Sequence, residues 1–60
     1  MVNLEVREAM KKARLFGYEV AAELGITESS FSRKLARHEM SSEEKARVLA
    51  AIERAAKGAR

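Results

Sequence analysis

Residues 28–37, Glu-Ser-Ser-Phe-Ser-Arg-Lys-Leu-Ala-Arg, carry most of the chain's potential for specific chemistry. Phe31 and Leu35 stand four apart and share one face of a helix. Glu28, Ser29, Ser32, Arg33 and Ala36 fall on the opposite face. That outer face is short-chained except at Arg33, so a partner's groove can approach the backbone closely. A serine hydroxyl bonds base edges or phosphates, and arginine is the commonest specific reader of guanine. Glu28 has two readings: it accepts from a cytosine amino group, or it is an acid stabilising the helix start. Lys34, Arg37 and His38 gather at the helix end, where phosphate contact and complementation of the helix dipole coincide. Tyr18, upstream, offers a hydroxyl to a phosphate or a ring to the edge of the core.

Catalytic and metal chemistry are poorly supplied. His38 is the single histidine and there is no cysteine, so no metal-ligand spacing exists. The serines lack a base beside them, His38 being six residues from Ser32 and off its helix face. The carboxylates are spread among basic residues, without apolar flanks to perturb them. No glycine-rich phosphate loop is present, and a chain of 60 residues has little room for a concave pocket. The expectation is no enzyme, no cofactor, no metal and no small-molecule substrate.

The elements that position residues 28–37 can be read outward from them. Val20 and Leu24 share a face of a preceding helix, placed near residues 18–24. Gly25 stands where that helix must stop, and glycine takes positive φ there without a Cβ penalty. Thr27 is an N-cap for the next helix, and Ile26 against Phe31 is a candidate hydrophobic staple. The first helix is expected over residues 3–14, with Asn3 as N-cap and Val6, Met10 and Ala13 as its apolar stripe, joined at the edge by Leu4. Glu5 and Glu8 begin it, and Lys11, Lys12 and Arg14 end it, matching the dipole. In the connection, Phe16 reads as core and Gly17 as an open surface at the start of the second helix. Met40 is expected to tuck under the connection to the last helix. Ser41 and Glu44 form a capping box for that helix. Val48, Leu49, Ile52, Ala55 and Ala56 give it the longest apolar stripe, and Gly58 closes it in the C′ manner. Ala59 and Arg60 are expected to fray.

The whole points to one all-α domain, residues 1–60, folded as a compact four-helix bundle. Twelve Lys and Arg against nine Asp and Glu give a net charge of +3, which suits a nucleic-acid partner without requiring one. No apolar run approaches the roughly 20 residues of a membrane span, and the first residues lack a signal-peptide layout. A cytoplasmic protein without membrane contact is expected.

Ala21, Gly25, Ile26, Thr27 and Phe31, followed by Ser32-Arg33, resemble the helix-turn-helix of the lambda-repressor-like DNA-binding domains, the Cro and XRE type. The resemblance covers essentially the whole chain. It departs from the family at Phe16, where many relatives carry a capping Ser or Thr, and at Gly17, at or after which they carry a phosphate-binding Gln. It departs again at Lys34, where an apolar residue is common; Leu35 takes that role. The resemblance implies sequence-specific binding of double-stranded DNA and transcriptional regulation of the repressor type, with the third helix in the major groove. Ser29, Ser32 and Arg33 would read bases, with Glu28 a further candidate, and Tyr18, Thr27, Lys34 and Arg37 would hold phosphates. The end of the last helix, Ile52, Ala55 and Ala56, is expected to outrun what the core can cover, and a weak homodimer through that end, strengthened on DNA, is the expected assembly. Two other classes stay open: a helical protein-interaction module, of adaptor or antitoxin-like kind, and a small architectural, excisionase-like DNA binder.

Overall fold

The computed structural model describes residues 2–58. They form α1 (Leu4–Ala13), α2 (Gly17–Leu24), α3 (Glu28–Arg37) and α4 (Ser42–Gly58), with no strand among the described residues. The long α4 packs against both α1 and α2, and α2 packs against α3. None of these helices is long and apolar enough to cross a membrane.

Local chemistry sets several helix ends as expected. Gly25 takes a left-handed conformation at φ 74°. Its N–H donates to the Ala22 carbonyl at 3.2 Å, and the Ile26 N–H to the Ala21 carbonyl at 3.0 Å. This pair of bonds is the Schellman motif, which satisfies carbonyls a helix end leaves over. Thr27 Oγ1 accepts from the Ser30 N–H at 3.2 Å, capping α3. Ser41 Oγ does the same for the Glu44 N–H at 3.2 Å, at the start of α4. The Glu44 carboxylate does not return the bond to Ser41 but reaches Lys34 on α3, 3.1 Å away, so only the Ser41 half of the expected capping box forms.

Other ends differ from the sequence expectation. The first helix ends at Ala13, and the residue after it, Arg14, is left-handed at φ 57°. The Arg14 N–H donates to Lys11 O and the Leu15 N–H to Met10 O, a second Schellman motif built without glycine. The second helix starts at Gly17, and Glu19 Oε1 accepts the Phe16 N–H at 2.8 Å. A phenyl ring has no acceptor to return the bond, so only half of a capping box forms. Gly58 does not close α4 as a C′ glycine; it is still helical. Ala59 and Arg60 lie outside the described residues. Asn3 is left-handed at φ 57° and makes no side-chain cap to α1; its amide is turned to α3 instead.

The core is Val6, Leu15, Val20, Ala21, Phe31, Met40, Val48, Ala51 and Ile52. It draws on all four helices and on the α1–α2 and α3–α4 connections, and Met40 is tucked in as expected. Ala9, Met10, Ala13, Leu24, Ile26, Leu35, Leu49, Ala55 and Ala56 pack around it. Two apolar assignments are corrected. Phe16 is 66% exposed and Leu4 49% exposed, so neither belongs to the core or its edge. Ile52 is buried, so it is not surplus apolar surface at the end of α4. Surface ion pairs tie the elements together: Lys34 with Glu44, Arg54 with Glu23, and Lys45 with both Glu5 and Glu39. Exposed pairs of this kind stabilise by about 0–1 kcal/mol each, so burial carries the fold.

Candidate functional site

Helix α3 turns Phe31 inward and leaves a polar outer face. Phe31 is buried and Leu35 half-buried, whereas Glu28, Ser29, Ser32, Arg33 and Arg37 are all exposed. Arg33 and Arg37 stand four apart, one helical turn, and line a shallow depression with Ser30, Lys34 and His38. Neither arginine has an ion-pair partner among the described residues. Two guanidinium groups one turn apart and free of carboxylates make a surface fit for anionic oxygen, and a planar fork of donors binds such oxygens in pairs. Ser30 was not singled out as a member of this surface, whereas His38 was grouped with Lys34 and Arg37 at the helix end. The signal was available, since Ser30, Arg33 and Arg37 follow the three- and four-residue spacing of one helix face.

The other sequence-derived candidates divide. Ser29, Ser32 and Arg33 stay together on the exposed face. Thr27 sits at the α3 N-cap with its oxygen already accepting from Ser30, leaving the hydroxyl hydrogen available. Lys34 is 3.1 Å from Glu44, so any phosphate must compete with a resident carboxylate for it. Glu28 Oε2 lies 3.8 Å from the point where a Cβ on Gly17 would stand, and the Phe31 ring is equally near. The start of α2 at Gly17 is therefore half-covered rather than fully open, and one neighbour is an acid near a helix N-terminus, where negative charge is stabilised. Tyr18 is 58% exposed. Its ring stacks on Phe16, with centroids 5.7 Å apart and planes 10° from parallel. Tyr18 is thus neither a cover for the core nor an isolated hydroxyl, but half of an exposed aromatic pair.

The far end of α3 meets the first residues of the chain. Asn3 is fully buried, and its side-chain amide bonds the backbone of residues 35–40. Beside it, Glu39 Oε1 accepts the Asn3 N–H at 2.9 Å, and the other Glu39 oxygen pairs with Lys45. The Lys45 ammonium, and then the Asn3 N–H, hold the Glu39 carboxyl below the usual carboxylate range. Glu39, and then Glu5, raise Lys45 above the usual lysine value. No group of three or more metal-ligating side chains occurs among the described residues. A wider, shallow groove runs between α1 and α4, floored by Ala9, Ala13, Leu49 and Ala56.

Compared with known proteins, the chain matches no family model, no curated protein and no solved structure.

Proposed function

We propose that this chain binds double-stranded DNA in a sequence-specific way, as a small transcriptional regulator of the repressor type, with α3 lying in the major groove. The observation that carries the reading is the outer face of α3: Arg33 and Arg37 unpaired among the described residues, with Ser29, Ser30 and Ser32 exposed around them. Short serines let the helix backbone approach base edges, and Arg33 supplies the two-pronged donor that fits guanine. On this reading Arg37 and the Thr27 hydroxyl would hold phosphates, and Lys34 and Tyr18 would be weaker members of that set because of Glu44 and the Phe16 stack. The order α2, Gly25 turn, capped α3 supports the reading through the resemblance to lambda-repressor-like helix-turn-helix domains. Selection of bound duplexes from a random pool tests it directly. A single enriched motif, with affinity falling as salt rises, is the expected result. Recovery of no motif, with salt-insensitive retention, would remove it.

A second reading has one observation in its favour. The Phe16–Tyr18 stack is an exposed aromatic pair, and exposed aromatics are favoured anchors in protein interfaces. On that reading the chain is a protein-interaction module. Tyr18 is the only tyrosine and there is no tryptophan, so intrinsic fluorescence reports on this pair. A change on adding duplex DNA, abolished by Arg33→Ala, supports the DNA reading.

A further inference from the structure

The ends of α1 and α2 are closed from within, each by a left-handed residue and two backbone bonds. Helix α3 is not. The residue after it, His38, is extended at φ −132° and ψ 140°, and its N–H only reaches the Lys34 carbonyl at 3.5 Å. The last carbonyls of a helix need partners, and two of those of α3, Leu35 O and at 3.5 Å Lys34 O, find one in Asn3, more than thirty residues away in sequence. Asn3 Nδ2 donates to His38 O at 2.7 Å and to Leu35 O at 3.0 Å. Asn3 Oδ1 accepts the Met40 N–H at 2.8 Å. Arg7, one turn along α1, adds a bond from Nη2 to Leu35 O at 3.4 Å. Both amide hydrogens and the amide oxygen of Asn3 are in use, and no buried side-chain polar atom is left unpartnered among the described residues. Left-handed backbone, which asparagine tolerates better than most residues, aims the side chain there.

We propose that Asn3 is the positioning residue for the basic end of α3. It sets the last turn of that helix, and with it Arg37, against α1. The inference rests on the reading of α3 as the DNA-facing helix. All the side-chain partners of Asn3 lie between Lys34 and Met40. None lies at Ser29, Ser32 or the α2–α3 turn. Loss of Asn3 therefore acts on the Arg37 contact and spares base reading from the front of the helix. A residue that merely stabilised the fold would weaken every contact in proportion to the unfolded fraction.

A double-mutant cycle separates the two. Arg37→Ala is made in wild type and in Asn3→Ser, and binding to the selected duplex is measured across salt at a temperature where each protein is fully folded by circular dichroism. In wild type, Arg37→Ala is expected to lower the slope of log K against log salt by about one. Asn3→Ser alone is expected to lower it by the same amount, and adding Arg37→Ala to it to change nothing more. The discrimination lost on Arg33→Lys stays the same in both backgrounds. If Asn3→Ser does not fold, Arg7→Leu removes the 3.4 Å bond to the same carbonyl and carries the cycle, with a smaller expected coupling. Additive effects of Arg37 and the clasp residue overturn the proposal while leaving DNA binding intact. Failure of the wild-type protein to bind any duplex overturns the functional reading, and this inference falls with it.

Discussion

On the proposed reading, Arg33 is the residue on which sequence specificity would turn. If it bonds guanine O6 and N7 together, lysine keeps its charge but not its planar fork. Arg33→Lys is then expected to keep the non-specific affinity and the salt slope, while discrimination for the preferred site falls by roughly 1–3 kcal/mol at one base pair. Equal weakening on every duplex would make Arg33 a phosphate contact and move base reading to Ser29 and Ser32. Lys34 and Arg37 provide an internal comparison. They look equivalent in the sequence, but only Lys34 has a carboxylate, that of Glu44, at 3.1 Å. Arg37→Ala should lower the salt slope by about one, and Lys34→Ala by clearly less, since a phosphate would have to displace Glu44. Matching slopes for the two variants would show that the surface ion pair opens freely on DNA.

At the scale of the helix and its ends, what the sequence reveals depends on how far the deciding partner lies. Gly25, Thr27 and Ser41 were legible because each cap closes within a few residues, by backbone geometry and a side-chain oxygen. Asn3 was not. An asparagine just before a helix reads as an N-cap, and its true partners at residues 34–40 are visible only once the first residues of the chain meet the end of α3. Phe16 was misplaced for a related reason: it lies between helices, where no periodicity says which way a ring points. On α3, the spacing of Phe31 and Leu35 fixed which residues face out, so the polar face was legible, whereas the engagement of Lys34 by Glu44 was not. Arg14 also went unread, because a non-glycine C′ residue has no sequence mark. Its left-handed backbone, φ 57°, costs about 1–2 kcal/mol that glycine would not incur. Glycine's freer unfolded chain takes back about 0.4–1 kcal/mol. Arg14→Gly is therefore expected to stabilise the domain by about 0–1.6 kcal/mol, or up to several degrees in Tm for a chain of this size. A lower Tm in thermal unfolding would mean that the Arg14 side chain contributes more than its backbone strain removes.

For the whole molecule the governing fact is a core too small to lose a member. A domain of this size seldom nets more than ~3–5 kcal/mol, and truncating a buried phenylalanine costs about 3–5 kcal/mol. Phe31 is 1% exposed, so Phe31→Ala should be largely unfolded at room temperature, as circular dichroism would show; a cooperative transition near that of wild type would contradict its place in the core. The dependence on pH follows from the pair beside Asn3. Glu39 is lowered from its ordinary 4.5, so its contribution is present above 4.5 and is lost as pH falls through the lowered value. Lys45 is raised from 10.5, so its contribution is present below 10.5 and is lost as pH rises through the raised value. Glu39 is exposed and Lys45 half-buried at the surface, so solvent screening keeps the effect small, and Glu39→Gln should reduce the acid limb of the Tm profile; an unchanged limb would assign it to other carboxylates. Assembly is the remaining question at this scale. The domain measures 31 × 20 × 18 Å, while repressor-type half-sites lie about 34 Å apart, one turn of DNA. Two copies bound one turn apart on the same side of the duplex meet only at their ends, and with Ile52 buried the end of α4 offers mainly Ala55 and Ala56. A contact that small gives no stable free dimer, but DNA that holds two copies in place raises their effective concentration. The free protein should therefore sediment as a monomer, and a duplex with two half-sites about 10 base pairs apart should take two copies cooperatively. Inserting about 5 base pairs turns the second half-site to the far side of the helix and should abolish the cooperativity without changing the affinity of either half-site. Cooperativity that survives the insertion would place the contact elsewhere on the molecule, and one copy per duplex at every concentration would remove the dimer altogether.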